Sequence, residues 1–325
     1  MRGRTAALGL ALGLTVSVTA CGGGGSDDGG GTADGPAADA AITSVVNPSE
    51  TKGGTLKFAM SGTLDSADPG DTYYAMVQNF SRLYGRTLIG YRPAPGDAGL
   101  ELVPDLAEGL GTPSNGNRTW TYKIKKGVKY EDGTEVTAAD VKYAIARSNF
   151  AKDVLPNGPS YFAALTGSRY KGPYKDPNLD HLTEIATPDD HTLVVNFAKP
   201  FADMDYLMTF SQTMPVPQRR DRGTSGGVNY KKHVFSTGPY RFEGNGYTTK
   251  LNLVRNPHWD PRTDPLRTGL PDRIELAMKM DSAEIDRGLK AGTVHVDLAG
   301  TGVQVATGAE ILSDPALRKY SDAAY

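Results

Sequence analysis

A strand, a tight turn and a helix are predicted in succession within Thr119–Ile145, and this stretch constrains the fold more than any other. Its first six residues, TWTYKI, alternate large apolar with polar side chains, which is typical of a half-buried strand. Asp132-Gly133 then predicts a hairpin turn, because both residues tolerate positive φ. Thr137 precedes Asp140 at the spacing of a capping box, so a helix is expected to begin there.

The same stretch holds four acidic residues within ten positions, which raises the alternative of a metal or proton site. They are Glu131, Asp132, Glu135 and Asp140. The turn and the helix cap give these side chains local structural roles or a place in solvent. Since no further ligands follow at suitable spacing, we interpret the acidic residues as structural and expect no metal here.

The first 21 residues have the pattern of an export signal. Arg2 and Arg4 precede the apolar run AALGLALGLTVSV, and small residues lead to Cys21 in VTAC. The run is too short for an ordinary membrane span. Its ending resembles a bacterial lipobox, which predicts that Cys21 is acylated and becomes the new N-terminus; the alternative is a buried free cysteine.

Residues 22–50 are rich in Gly, Asp and Ala and are expected to form a flexible tether. A tether behind a lipid anchor would hold a folded domain off the membrane, on the extracellular face of the cell or in the periplasm of a double-membrane bacterium. The net charge of −2 gives no reason to expect a nucleic-acid partner. With Cys21 the only cysteine, an intramolecular disulfide is excluded.

The segment YKIKKGVKYEDGTEVTAADVKYAI closely resembles the hallmark of the extracellular solute-binding proteins, family 5, of ABC importers. That family includes oligopeptide-, dipeptide- and nickel-binding receptors. Further segments resemble the family in its own order: GGTLKFAMSGTLDSADPGDTYY, LVPDLAEGL, TPDDHTLVVNFAKPFADM, STGPYRFEGNG, LNLVRNPHWD and PDRIELAMKMDSAEIDRGLKAGTVHVDLAG. The resemblance covers residues 53–300.

The resemblance implies an α/β fold of the periplasmic-binding-protein-like kind (type II, cluster C). It divides the chain into a signal peptide (1–21), a tether (22–50), a first large mixed-sheet lobe (51–87 and 202–270), an inserted accessory lobe (88–201) and the start of a second large lobe (271–325). Family members continue well beyond this length, so the second lobe is expected to be incomplete and solute binding weak or absent. Strands such as RIELAMKM (273–280) are then expected to lose partners and expose a sheet edge.

By the same resemblance, the protein is expected to be a lipoprotein that captures oligopeptides, or a related solute, for a membrane permease and its ATPase. No covalent chemistry and no cofactor are expected. Position in the motifs implies that residues 73–75 present backbone to an extended peptide, although their aromatic side chains could equally belong to the core. The expected ligand-binding residues are Tyr73, Tyr74, Ala75, Ser211, Gln212, Thr213 and Thr237. Gly238 is expected to permit a close backbone approach.

Enzymatic alternatives have weaker sequence support. GTSGG (223–227) fits the G-x-S-x-G pattern with Ser225 as nucleophile, but that motif needs an apolar strand before it, and QRRDR precedes it here. The five histidines show neither an i, i+4 pair nor zinc spacing. A serine-hydrolase-like lipoprotein and a truncated non-transport surface protein remain the alternatives.

Overall fold

The computed structural model describes residues 44–45, 48–222 and 229–318, apart from the side chain of Arg222. Cys21, most of the predicted tether and Ser225 lie outside the described residues. Within the described ranges, none of the helices combines the length and the apolar character that crossing a bilayer requires.

Eleven strands are present in the described ranges, numbered in chain order: β1 (Thr55–Ala59), β2 (Ile89–Tyr91), β3 (Leu102–Pro104), β4 (Thr112–Ser114), β5 (Thr119–Lys123), β6 (Ile185–Asp189), β7 (Thr192–Asn196), β8 (Tyr240–Phe242), β9 (Lys250–Arg255), β10 (Arg273–Ala277) and β11 (Val296–Asp297). The α-helices of the same ranges are α1 (Ala75–Ser81), α2 (Ala138–Phe150), α3 (Tyr161–Thr166), α4 (Met204–Leu207), α5 (Gln218–Arg222), α6 (Ser282–Ala291), α7 (Val305–Ser313) and α8 (Pro315–Arg318). Short 3-10 helices include Pro69–Asp71 and Ser211–Thr213.

The main sheet is mixed and has the strand order β11-β1-β10-β9-β8. β1 runs parallel to both β10 and β11, whereas β9 is antiparallel to β10 and β8. Buried residues of the sheet, such as Tyr240 of β8, share a core with Phe80 and Tyr84. The chain therefore has a mixed α/β architecture, as predicted.

β10 corrects two expectations drawn from the sequence. Residues 273–280 were expected to open the second lobe with an exposed edge, but β10 is the central strand of the main sheet. Ile274 pairs with Leu56 on one side and with Leu253 on the other, and its side chain is fully buried. Since both edges of β10 are hydrogen-bonded, the predicted lobe boundary at Pro271 and the predicted open edge are wrong for this strand.

A second, antiparallel sheet has the order β4-β5-β7-β6 and supports a separate core. The predicted strand TWTYKI is confirmed, because Trp120 and Tyr122 of β5 are buried and face Val195 and Leu193 of β7. Most members of this core lie between residues 88 and 208. Helix α2 packs on both cores and joins them.

The predicted turn and helix cap are also confirmed. Gly133 has φ +82°, and the Tyr130 amide donates to the Thr134 carbonyl (2.8 Å), which closes the turn. Thr137 and Asp140 form both halves of the capping box at the start of α2. Such a cap satisfies amide groups that the first helical turn leaves without partners.

Protein partners account for the other three acidic residues of the stretch. Glu131 accepts from the Ser236 amide (3.1 Å) and pairs with His233 (2.5 Å). Asp132 accepts from Arg220 (3.0 Å), and Glu135 accepts from the amide of Gly127 (2.6 Å). These contacts confirm the structural interpretation of the acidic stretch.

Candidate functional site

A buried ion cluster fixes the loop that leads to the candidate site. Arg147 of α2 donates to both oxygens of Asp68 (2.8 and 2.6 Å) and to Asp221 of α5 (3.0 Å), and all three side chains are fully buried. Asp68 also caps the 3-10 helix Pro69–Asp71 by accepting from the Gly70 amide (2.9 Å). Burial alone would lower the pKa of Arg147, but the charges of Asp68 and Asp221 outweigh it and raise that pKa.

The segment that follows this loop presents backbone amides that have no partner in the described part of the chain, although the Tyr73 and Tyr74 carbonyls accept hydrogen bonds from α1. Thr72 is extended (φ −149°, ψ 156°), and so is Tyr74 (φ −71°, ψ 128°). Tyr73 is 51% exposed and Tyr74 is 60% exposed. None of the described residues accepts a hydrogen bond from the amide of Tyr73 or Tyr74. An extended, exposed segment with unpaired amides can form backbone hydrogen bonds with another extended chain.

Four aromatic rings form a cluster beside this segment, here called the aromatic cluster: Tyr73, Tyr161, Tyr206 and Phe210. The Tyr73 and Tyr161 hydroxyls are 2.7 Å apart, and ring centroids are separated by 5.1 to 6.3 Å. Tyr73 and Tyr206 are about half exposed at 51% and 47%. Large rings left at the surface in one group mark a place where a ligand can pack.

Of the aromatic cluster, only Tyr73 was predicted from the sequence to be a site residue. Tyr161 begins α3, whereas Tyr206 lies in α4 and Phe210 just beyond it. Tyr206 and Phe210 are four residues apart, but Phe210 lies beyond the end of α4 and is extended (φ −73°, ψ 140°), so the helical i, i+4 rule did not predict their contact. Tyr161 likewise had no signal in the sequence.

A cavity of about 190 Å³ adjoins the aromatic cluster, because Tyr206 and Phe210 of the cluster also line the cavity. Its polar lining includes Gln78 and Asn79 of α1, Arg82 just after that helix, Thr209 and Ser211. Segments far apart in the chain therefore meet around one opening.

The three predicted site residues with aliphatic hydroxyl groups lie inside the protein. Ser211 is 4% exposed and donates to the Pro69 carbonyl (2.9 Å), although it also lines the cavity. Thr213 donates to the Phe210 carbonyl (2.9 Å). Thr237 accepts from the Arg86 amide (3.1 Å). For these buried hydroxyls, contact with a solute stays a prediction.

Gln212 and Ala75 differ from those hydroxyls. Gln212 is 1% exposed, and neither its amide oxygen nor its amide nitrogen has a hydrogen-bond partner in the described part of the chain. Ala75 begins α1, directly after the exposed segment. Their roles in binding likewise stay predictions.

A second buried ion network holds the far side of the cavity. Asp105 accepts from Arg86 (2.8 Å) and from Arg267 (2.8 Å), and Arg267 also reaches Asp264 (3.1 Å). Arg267 itself lines the cavity and donates to the Arg82 carbonyl (2.6 Å). The end of α1 is thereby fixed against the loop that carries Arg267.

In the part of the chain that the structure describes, no group of three or more His, Cys, Asp or Glu side chains is arranged to hold a metal ion. What the molecule offers is an exposed backbone segment, an aromatic cluster and a cavity on an α/β scaffold. These features are typical of a surface at which a ligand can bind. The family model of the bacterial extracellular solute-binding proteins, family 5 (middle region), matches residues 101–321, and the chain belongs to that family.

Individual relatives agree with this assignment. The chain is similar to a solved structure described as clavulanic acid biosynthesis oligopeptide binding protein 2, with 44% identity, a TM-score of 0.83 and coverage of 89% of this chain. It is 30% identical, over 60% of its length, to the periplasmic murein peptide-binding protein MppA of Escherichia coli (strain K12). Listeria monocytogenes OppA bound to peptide shares the fold, with a TM-score of 0.60 at 19% identity over 76% of this chain.

The chain spans only part of each relative. It covers 51% of the clavulanic acid biosynthesis protein, 35% of MppA and 46% of the Listeria OppA chain.

Proposed function

We propose that the protein is the substrate-binding component of an ABC importer, which captures oligopeptides outside the cell and delivers them to a membrane permease. The observation that carries this proposal is the extended, exposed segment at Tyr73 and Tyr74, whose amides have no partner among the described residues. Family membership and relatives described as peptide-binding proteins support it.

The geometry suits peptides of varied sequence. Backbone hydrogen bonds provide affinity that does not depend on the side chains of the peptide. The aromatic cluster adds broad apolar faces against which different side chains can pack. Such binding needs no covalent step, in keeping with a family of solute-binding proteins. The serine-hydrolase alternative gains no support, since Ser225 lies outside the described residues.

Two substitutions at Tyr74 separate the backbone contribution from that of the side chain. The φ of −71° at Tyr74 is compatible with proline, so Tyr74→Pro removes the amide hydrogen with little backbone strain. Tyr74→Ala removes the same exposed side chain and keeps the amide. Isothermal titration of the full protein with tri- and tetra-alanine would compare them.

We expect Tyr74→Pro to weaken peptide binding about 2- to 12-fold relative to Tyr74→Ala, the usual contribution of one hydrogen bond. Equal affinities of the two variants would contradict backbone pairing at this residue. Failure of the unmodified protein to bind any peptide, tested also with a peptide mixture and mass spectrometry of the retained species, would refute peptide capture itself.

The location at the membrane is proposed from the sequence of the first 50 residues. Acylation of Cys21 would anchor the protein at the cell surface, and the Gly-rich segment that follows would act as the tether. Partition of the protein into detergent in its native host is expected to require Cys21. Unchanged partition of Cys21→Ser would rule out this anchor.

A further inference from the structure

Arg82 lines the cavity beside the aromatic cluster, and its charge has no partner among the described residues. Its backbone groups are engaged, since its amide donates to the Asn79 carbonyl and its carbonyl accepts from Arg267. No described residue, however, forms a hydrogen bond or an ion pair with its guanidinium. Arg86 and Arg267, by contrast, both pair with the buried carboxylate of Asp105.

The surroundings of Arg82 disfavour a cation. Burial lowers the pKa of Arg82, and the nearby charge of Arg267 lowers it further. Asp105 and Asp264 offset this only in part, because both are already paired with other arginines. A partly buried guanidinium near another cation gains most from an anion that enters from outside.

The cavity limits the size of that anion. Its volume of about 190 Å³ lies below the roughly 300–1,000 Å³ of pockets that enclose whole small ligands, so it suits one group of a larger ligand. The Gln78 and Asn79 side-chain amides add neutral donors to its lining, whereas the Thr209 hydroxyl donates to the Tyr206 carbonyl (2.8 Å). A carboxylate fits this set, because guanidinium groups bind carboxylates through two parallel hydrogen bonds.

We propose that this cavity is a carboxylate subsite, in which Arg82 binds an acidic group of the ligand while the ligand packs against Tyr206 and Phe210. The carboxylate comes from an acidic side chain or from the C-terminus of a peptide. This inference rests on the proposed peptide-binding function and makes it more specific: the protein discriminates among peptides by negative charge at one position.

Matched peptides test the proposal on the full protein. Isothermal titration with Ala-Glu-Ala and Ala-Gln-Ala, both with amidated C-termini, isolates a side-chain carboxylate. Tri-alanine as free acid and as amide isolates the terminal one. Each pair is measured on the unmodified protein, on Arg82→Gln and on Arg118→Gln, an exposed arginine outside the cavity lining that undergoes the same change of charge.

The acid in at least one pair is expected to bind about tenfold or more tightly than its neutral counterpart, a preference that Arg82→Gln removes and Arg118→Gln keeps. The pair that shows the preference identifies the source of the carboxylate. If circular dichroism shows that Arg82→Gln does not fold, Arg82→Lys replaces it. Lysine keeps the positive charge but cannot form two parallel hydrogen bonds with a carboxylate, so a reduced preference for the acidic peptide is then expected.

Two results would overturn the subsite. If peptides bind with equal affinity as acids and neutral forms, or if the preference survives Arg82→Gln, the carboxylate proposal is wrong and peptide binding stands. If none of the four peptides binds to the unmodified protein, the proposed function fails together with the subsite. If the preference for the acidic peptide arose only from nonspecific charge attraction, Arg118→Gln would lower it as much as Arg82→Gln does, which would also overturn the subsite.

Discussion

Replacing Arg147 by Met is expected to lower the free energy of unfolding by about 3–5 kcal/mol, the usual cost of removing one partner from a buried ion pair. The structure favours the upper part of that range, because Arg147 satisfies two carboxylates, Asp68 and Asp221, and all three side chains are fully buried. Methionine fills most of the space and leaves both carboxylates buried without a cation. Domains are commonly stable by only about 5–15 kcal/mol, so the loss would be conspicuous.

Arg92→Met is a matched control for this experiment. Arg92 also holds a carboxylate with two hydrogen bonds, to Glu101 at 2.6 and 2.7 Å, but the two side chains are 48% and 53% exposed. Its loss is expected to change the stability far less, because water and salt screen an exposed ion pair. Urea unfolding followed by circular dichroism at neutral pH measures both. Similar losses for the two variants would refute the argument that burial, and not contact geometry, sets the cost.

Three further predictions concern packing, capping and pH. Gly238→Ala would place a methyl group 2.9 Å from the backbone of Tyr84, just after α1, and is expected to lower the free energy of unfolding in urea by about 1–3 kcal/mol. The control is Gly109→Ala, because Gly109 has open space around it. An equal loss of stability in both variants would contradict the close approach at Gly238. Thr137→Ala removes one half of the capping box and is expected to cost about 1 kcal/mol; no change in the urea midpoint would mean that the cap contributes nothing. The protonated His233 ring donates to the Glu131 carboxylate, which raises the pKa of His233 above its usual value of 6.5. The stabilisation from this pair is therefore present below pH 6.5 and is lost as the pH rises through the raised pKa; Glu131→Gln should abolish this part of the pH dependence of the urea midpoint.

Local patterns predicted the structure well where neighbouring residues decide it. The strand at Trp120, the turn at Gly133 and the capping box at Thr137 each depend on side chains within a few positions. Gly238 was expected to allow a close approach, and the backbone of Tyr84 does lie against it. In each case, the residue type limits the local backbone to few conformations.

Long-range strand pairing was the part that local patterns could not determine. The alternating apolar residues of β10, such as Ile274 and Leu276, indicate a strand with a buried face but not which strands will flank it. Family order suggested a new lobe at Pro271. The chain instead returns β10 between β1 and β9, where both edges form hydrogen bonds.

The candidate site was predicted in part for a similar reason. The exposed segment at Tyr73 and Tyr74 came from a family motif of contiguous residues. Arg82, by contrast, is a candidate site residue only because α1, the loop of Arg267 and the segment after α4 meet around one cavity. For a lone arginine near the end of a short helix, the sequence does not show that its charge will have no partner among the described residues.

The two buried ion networks connect stability to the placement of the binding surface. Burying charges carries a desolvation cost, and apolar replacements of such clusters are often equally stable, so stability alone does not explain them. Both networks end at the candidate site: Asp68 fixes the loop before Tyr73, and Arg267 fixes the cavity wall beside Arg82. Ion pairs require defined directions, whereas apolar contacts tolerate sliding. We therefore infer that these networks hold the exposed segment and the cavity at a fixed separation, which a receptor must have if one extended ligand is to reach both.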